Sequence, residues 1–350
     1  MTDALLLLGS LLVILVGAEL FTNGIEWLGR KLGLGEGAVG SVLAAVGTAL
    51  PETLIPIIAI AFTPGDHSDE VGVGAILGAP FMLSTLAMFV TGIGIIAFRG
   101  RRATGSEVAV DTRVLAHDLR YFFIGYGLAV AAAFLPEGLA PGRWVVAVVL
   151  VAIYAWYVKG HLDADAEEGE PLPPLRFHKI DAAAHRADPD DPRLRVIALQ
   201  VIAAIGFIIV GAVFFIDAVT HVADSLGVSE VLLALVIAPI ATELPEKFNS
   251  IIWVRQGKDT LALGNITGAM VFQSMIPTTV GLVLASATWT IAPGNYTAFA
   301  SAAIAMIATA VIFVPARRRG RLDARHLLVG GLFYLGYLVF VIALVSGALD

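Results

Sequence analysis

Thr242 to Lys247, TELPEK, sets three ionisable side chains inside a hydrophobic run long enough to span a bilayer, and Gly47 to Glu52, GTALPE, repeats the pattern near the other end of the chain. Carboxylates are costly in such surroundings, so each demands a function or a partner. The echo has a register. Gly17, Gly33, Pro51 and Glu52 recur as Gly211, Gly227, Pro245 and Glu246, all displaced by 194 residues (211 − 17 = 245 − 51). Downstream, VGVGAILGAPF at Val71 to Phe81 aligns with LALGNITGAMV at Leu261 to Val271, displaced by 190 (264 − 74). Each half therefore carries Gly-x-x-x-Gly in its third apolar span, Gly74 with Gly78 and Gly264 with Gly268, a spacing that lets membrane helices pack closely.

Composition agrees with a membrane solvent. The chain has 350 residues, 58% hydrophobic and 15% charged, against about 25% charged in soluble domains. It reads as a polytopic membrane protein. The net charge of −7 says little about partners, because much of the acid lies in one polar segment, Asp163 to Asp191, and nothing points to nucleic acid. There is no cysteine, which excludes disulfides and thiol chemistry. The opening MTDALLLLGSLLVILVGAEL lacks a basic leader and runs straight into the repeat, so it reads as a retained span.

Apolar windows of roughly 20 residues, the length that crosses about 30 Å of hydrocarbon, fall near 4–25, 37–62, 71–98, 119–136, 142–159, 194–217, 228–254, 260–287, 294–314 and 326–348. The pattern predicts an all-α fold of about ten transmembrane helices: a first repeat over 1–159, a cytoplasmic linker over 160–193 and a second repeat over 194–350. Arg and Lys sort into alternate connections, with Arg143 alone on the other side and Lys247 within a span. The positive-inside rule then places both termini outside the cytoplasm, as for a bacterial inner-membrane protein. Five spans per half invert the second half relative to the first, the inverted-topology plan of many secondary transporters. Gly160 to Pro192 shows no apolar period and reads as a partly ordered cytoplasmic linker; its acidic run AEEGE, Ala166 to Glu170, and the cluster Arg317 to Arg321 read as a solvated charged loop and a topology signal.

Pro51 and Pro245 each precede a glutamate, and proline in a helix interior frees the carbonyl four residues earlier. Thr48 with Glu52, and Thr242 with Glu246, are i, i+4 pairs on one helix face. Each half thus offers a hydroxyl, a loosened carbonyl and a carboxylate. Facing each other across a pseudo-twofold axis, the two sets make an all-oxygen cage suited to a hard divalent cation such as Ca²⁺. The plainer reading, carboxylates that merely bond neighbouring helices, fits one isolated glutamate better than two in repeat-related positions beside prolines.

These residues resemble the calcium/cation antiporter superfamily, which includes sodium/calcium and proton/calcium exchangers. Gly17 to Glu52 is similar to the opening of the family's first repeat, which ends in Gly-Thr-Ser-x-Pro-Glu, and ATELPE with the downstream GNITGA, Gly264 to Ala269, is similar to the second. The resemblance implies that Glu52 and Glu246 ligate the divalent ion, with Thr48 and Thr242 beside them. It also marks departures. Ala49 and Glu243 stand where the family has serine, and GAPFML (Gly78 to Leu83) and GAMVFQ (Gly268 to Gln273) replace Gly-Ser-Asn-x-x-Asn. Gln273 alone keeps an amide there, so the flanking sodium sites lose their side-chain oxygens. Asn265 holds the family's Gly-Asn position and serves either as a ligand or as a bond to a broken helix. Glu243 adds a carboxylate that Lys247, four residues on, can pair with; Lys247 can equally neutralise Glu246. Glu19 and Asp217, near span ends, and His67 and His221, in outward connections, read as structural.

The reading is a secondary antiporter moving a divalent cation, Ca²⁺ foremost with Mn²⁺ or Mg²⁺ as alternatives, against H⁺ or Na⁺. Its partners are the transported ions and membrane lipid, with no resident cofactor. An intramembrane enzyme with paired carboxylates lacks a nucleophile, His cluster or phosphate loop near the motif, and a non-transporting sensor or scaffold is the other rival. The native chain has no thiol, so Ala166→Cys tests the orientation: a cytoplasmic residue stays unlabelled by an impermeant maleimide in intact cells and reacts after lysis, whereas labelling of intact cells inverts the assignment.

Overall fold

The structure, a computed structural model, describes residues 2–49, 53, 60, 68–136, 139, 141–163, 172–182, 191–225, 243–292 and 295–345. In hydrocarbon every backbone polar group must be satisfied within its own segment, so the apolar runs become helices. They are α1 (Thr2–Leu32), α2 (Glu36–Ala49, with a π-helical stretch at Val39–Ala44) and α3 (Ser68–Met82, continuing through a π turn at Leu83–Ala87 into Met88–Phe98). α4 (Thr112–Ala131) starts at Asp111, whose carboxylate accepts the Arg113 backbone N–H at 2.7 Å, and α5 spans Gly142–Leu162. The short α6 (His178–Ala182) precedes α7 (Leu194–Ser225), α8 (Leu244–Gln256), α9 (Asp259–Leu284), α10 (Tyr296–Arg319) and α11 (Ala324–Val345). Seven of these, α1, α3, α5, α7, α9, α10 and α11, contain stretches long and apolar enough to cross a membrane. α4 is less apolar because it carries His117, Asp118 and Arg120, and it begins at Thr112 rather than near 119, since Asp118 is buried within the helix.

The 194-residue register is visible in three dimensions. A Cβ on Gly17 of α1 would stand 3.0 Å from Cγ1 of Ile208 on α7, and a Cβ on Gly211 of α7 would stand 2.8 Å from Cγ1 of Ile14 on α1. Ile14 and Ile208 are themselves 194 apart (208 − 14). The two contacts are one contact written twice, as a twofold axis between the repeats requires.

α9 is buried on every side from Asp259 to Met275 and forms the axis of the bundle. α5 and α11 lie outside it, turning Val145, Val148, Trp156, Leu332 and Val339 outward, where lipid satisfies them. Gly264 and Gly268 explain how α2 reaches α9: a Cβ on Gly268 would stand 2.1 Å from the Ser41 carbonyl oxygen, and one on Gly264 2.9 Å from its Oγ. Gly74 and Gly78 meet no described atom within 4 Å. By the same register the counterpart of Ser41 is residue 235, outside the described residues.

Part of the linker is ordered against the helices. Residues 172–177, LPPLRF, lie against α1 and α7. Leu175 is fully buried beside Trp27, Val196 and Ile197. The Pro173 carbonyl accepts Trp27 Nε1–H at 2.9 Å, and the backbone N–H groups of Arg176 and Phe177 donate to Asn23 Oδ1 (2.9 Å) and Gln200 Oε1 (2.8 Å). Prolines hold this stretch extended, and side-chain amides on the two helices satisfy its backbone. Arg176 also pairs with Glu19 at 2.6 Å, giving that carboxylate a structural partner.

Polar locks hold the helix ends. Arg143 donates to the carbonyls of Ser286 (2.5 Å), Leu135 (3.1 Å) and Ala132 (3.3 Å), joining the α4–α5 turn to the end of α9. Arg102, beyond α3, forms a buried two-pronged pair with Asp259 at 2.6 Å on both prongs, and Asp259 also accepts the Ala109 N–H at 2.8 Å. Breaking such a pair strands a buried charge, so Arg102→Met is expected to destabilise by about 3–5 kcal/mol, while Arg102→Met with Asp259→Leu recovers most of the loss. Unfolding of the purified variants in detergent measures both; equal loss in the double variant would show that shape, rather than charge, carries the lock.

Candidate cation site

The site assembles where α2, α8 and α9 meet. α8 starts at Leu244 with Pro245 in its first turn, where a missing N–H is no loss, and Glu246 follows immediately. The helix N-terminus therefore begins at the motif. Glu246 is fully buried, and among the described residues neither carboxylate oxygen has a hydrogen-bond partner within 3.5 Å. One turn on, Asn249 is also fully buried, with both its side-chain polar atoms unpartnered among the described residues. Buried polar atoms are nearly always paired, so unpaired ones mark a place where something else is meant to bind.

Asn265 on α9 links the two halves. Its Oδ1 accepts from the Thr48 hydroxyl of α2 at 3.3 Å, and its Nδ2 donates to the main-chain carbonyl of Glu246 at 3.4 Å. Thr48 also bonds the carbonyl of Ala44 at 3.1 Å within its own helix. One amide thus holds a residue of the first repeat against the carboxylate-bearing helix of the second. The bond to a broken helix, one of the two roles open to Asn265, is present. Gln273 is buried on α9 roughly two turns beyond.

Lys247 pairs with Glu243. Its Nζ lies 2.8 Å from Glu243 Oε2 and 3.4 Å from the Glu243 carbonyl, with both side chains buried. Of the partners open to it in the sequence, the i, i+4 carboxylate is taken. Pro51, Glu52 and Thr242 lie outside the described residues, as do His67 and the Asp217 side chain. Asn249 was not singled out in the sequence, though its position three residues after Glu246 in a helix places it on the same face. Nor was a polar cluster around Asp118, whose Oδ2 accepts from Ser41 (2.7 Å) and Thr267 (2.5 Å), joining α4 to the α2–α9 contact.

Two packed repeats, with a buried carboxylate unbonded among the described residues at the start of a helix, define an inverted-repeat ion exchanger of the membrane. The model of the sodium/calcium exchanger protein family matches residues 2–160 and 196–345, and the chain belongs to that family, whose members are transporters rather than enzymes. The match leaves out most of the linker. Among relatives, the inner membrane protein YrbG of Escherichia coli is 26% identical over 79% of this chain and 78% of its own, and an uncharacterized membrane protein of Methanocaldococcus jannaschii is 24% identical over 74% of each. The sodium-calcium exchanger NCX_Mj superposes with a TM-score of 0.71 over 98% of both chains at 18% identity, which gives the fold: ten helices in two inverted repeats.

An unpartnered carboxylate costs about 1–3 kcal/mol and more when charged. Glu246→Gln is therefore expected to raise the unfolding temperature of the chelator-stripped protein in detergent. A lower temperature would mean that the carboxylate bonds a group beyond the described residues.

Proposed function

We propose that this exchanger moves Ca²⁺ outward across a bacterial inner membrane in exchange for protons, by alternating access at a site whose ligands are Glu246 and Glu52 with Thr48 and Thr242. The observation that carries the reading is the Glu246 carboxylate, wholly buried with neither oxygen bonded among the described residues. Glu52 is its repeat-related mate by the 194-residue register (246 − 52). Two fixed carboxylates match a dication in charge, and carboxylate, hydroxyl and carbonyl oxygens are the donors that Ca²⁺ takes. The described part of the cage is held from behind, since Asn265 spends both ends of its amide on Thr48 and the Glu246 main chain.

The counter-ion follows from what the walls lack. Na⁺ needs several oxygens in a fixed shell, and Ala49, Ala269 and Met270 supply none at the positions concerned. Glu243, the one added oxygen donor, is engaged with Lys247. A proton needs a single carboxylate that can take it up and release it.

The test is ⁴⁵Ca uptake into proteoliposomes under an imposed pH gradient or an imposed Na⁺ gradient, with the membrane potential clamped. Uptake driven by the pH gradient and reduced at least about 100-fold in Glu52→Gln and in Glu246→Gln is expected, because removing one fixed charge leaves half of the dication uncompensated. Uptake driven by Na⁺ and indifferent to pH makes Na⁺ the counter-ion. Wild-type flux in either variant removes the glutamates from the site.

A further inference from the structure

We propose that His117, Asp118 and His161 form a binding site for one transition-metal dication, apart from the Glu246 site and independent of what the exchanger carries. His117 and Asp118 are adjacent on α4, and His161 sits in the last turn of α5. One atom from each converges on a common point. His161 Nε2 lies 3.2 Å from His117 Nδ1 and 2.8 Å from Asp118 Oδ1, and all three atoms fall within 4.8 Å of one another. With metal–ligand bonds of about 2.1 Å, neighbouring ligand atoms stand about 3.0 Å apart around an octahedral centre and about 3.4 Å around a tetrahedral one. The two observed edges, 3.2 and 2.8 Å, bracket the octahedral value. Two imidazoles and one carboxylate are the donor set of transition-metal centres with open positions; Ca²⁺ takes oxygen alone.

The surroundings hold these groups in place. The second lone pair of Asp118 Oδ1 takes the Tyr157 hydroxyl at 2.9 Å, and Oδ2 takes Ser41 and Thr267, so the carboxylate cannot turn away. The His117 ring packs against those of Tyr121 (4.7 Å) and Tyr157 (5.3 Å), which also touch each other (5.4 Å). Fixed outer partners of this kind orient metal ligands. Asp118 is fully buried and His161 nearly so, but His117 is partly exposed, leaving one side open for a cation and its waters.

Without metal, one proton fills the point of convergence: the Nε2–H of His161 donates to Asp118, and His117 Nδ1 faces the same nitrogen. When the cation enters, His161 switches to its other neutral tautomer, losing the Nε2 proton to solvent and taking one up at Nδ1, so that Nε2 turns its lone pair to the metal while Asp118 exchanges the imidazole bond for a metal bond. The bound ion then joins α4 to α5 and, through Asp118, to Ser41 of α2 and Thr267 of α9.

The test uses full-length Glu246→Gln protein in detergent, stripped with chelator and kept in saturating Ca²⁺, so that Zn²⁺ reports on this site alone. Calorimetric titration with Zn²⁺ is expected to give one ion per chain, and paramagnetic resonance to show Mn²⁺ displaced by it. His117→Gln and His161→Gln should each weaken Zn²⁺ by at least about 100-fold, beyond the 10–100-fold that loss of an outer partner costs. Asp118→Asn removes the anchor of several hydrogen bonds and endangers folding; the partly exposed His117 does not, and unchanged unfolding temperatures of the stripped histidine variants confirm their folds. No bound Zn²⁺, or affinity unchanged in either histidine variant, overturns the site and leaves a cluster held by a proton.

Discussion

The constraint on which this molecule turns is the placement of a carboxylate that no described residue bonds in an interior that excludes water. Translocon-based scales put an acidic side chain at mid-membrane at roughly 2.5–3.5 kcal/mol, before any loss of hydrogen bonds. Other buried acids of this chain are spared most of that. Asp259 has a two-pronged arginine and a backbone N–H, Glu26 has the Trp253 indole and Lys258, and Glu243 has Lys247. Asp118 has three hydroxyls and an imidazole. Among the described residues Glu246 has none of these, with Asn249 equally bare one turn away. Where four acids are so thoroughly paired, the bare fifth stands out, since strain and unsatisfied groups gather at functional sites.

Holding that carboxylate open requires a frame that does not collapse onto it. Close helix contacts supply the frame, and each depends on a missing Cβ. Gly17 and Gly211 let α1 and α7 cross by the same contact twice, while Gly264 and Gly268 let α9 lie against the Ser41 backbone. Where backbones approach this closely, side-chain volume cannot rearrange to fill a nearby gap, because packed interiors yield little. Thr48 is therefore carried at a fixed distance from α8, and Asn265 needs only to span it.

Much of this was legible in the sequence, and the reason is symmetry. A single buried glutamate is ambiguous, but an interval of 194 residues shared by Gly17, Pro51 and Glu52 converts it into half of a pair, and the Ile14–Gly211 and Gly17–Ile208 contacts carry the same interval into space. The pairing of Lys247 was visible as one of two options, because periodicity gives the neighbour at i+4 but not the rotamer. What stayed hidden breaks the repeat or joins distant segments. Asp118 and His161 lie 43 residues apart on different helices and have no hydropathy signal beyond weakening α4 as a span. The strap at 172–177 buries one leucine with prolines around it, too short for any period to register.

The Glu243–Lys247 pair settles how charge is distributed around the bare carboxylate. A third acidic side chain beside Glu246 looks, in sequence, like a means of strengthening cation binding. The geometry says otherwise: the ammonium lies 2.8 Å from the carboxylate and also reaches the Glu243 carbonyl, so the pair is neutral as a unit and arrives with its cation built in. Among the described residues, the uncompensated carboxylate is then Glu246. Lysine is suited to this, because its compact ammonium can be held by one carboxylate and one carbonyl, whereas arginine's planar fork would reach for further acceptors. Adding an acid to a low-dielectric site without adding such a base would raise the cost of the empty state with each charge, since like charges there repel strongly. The chain gains a polar wall beside Glu246 without adding net charge to it.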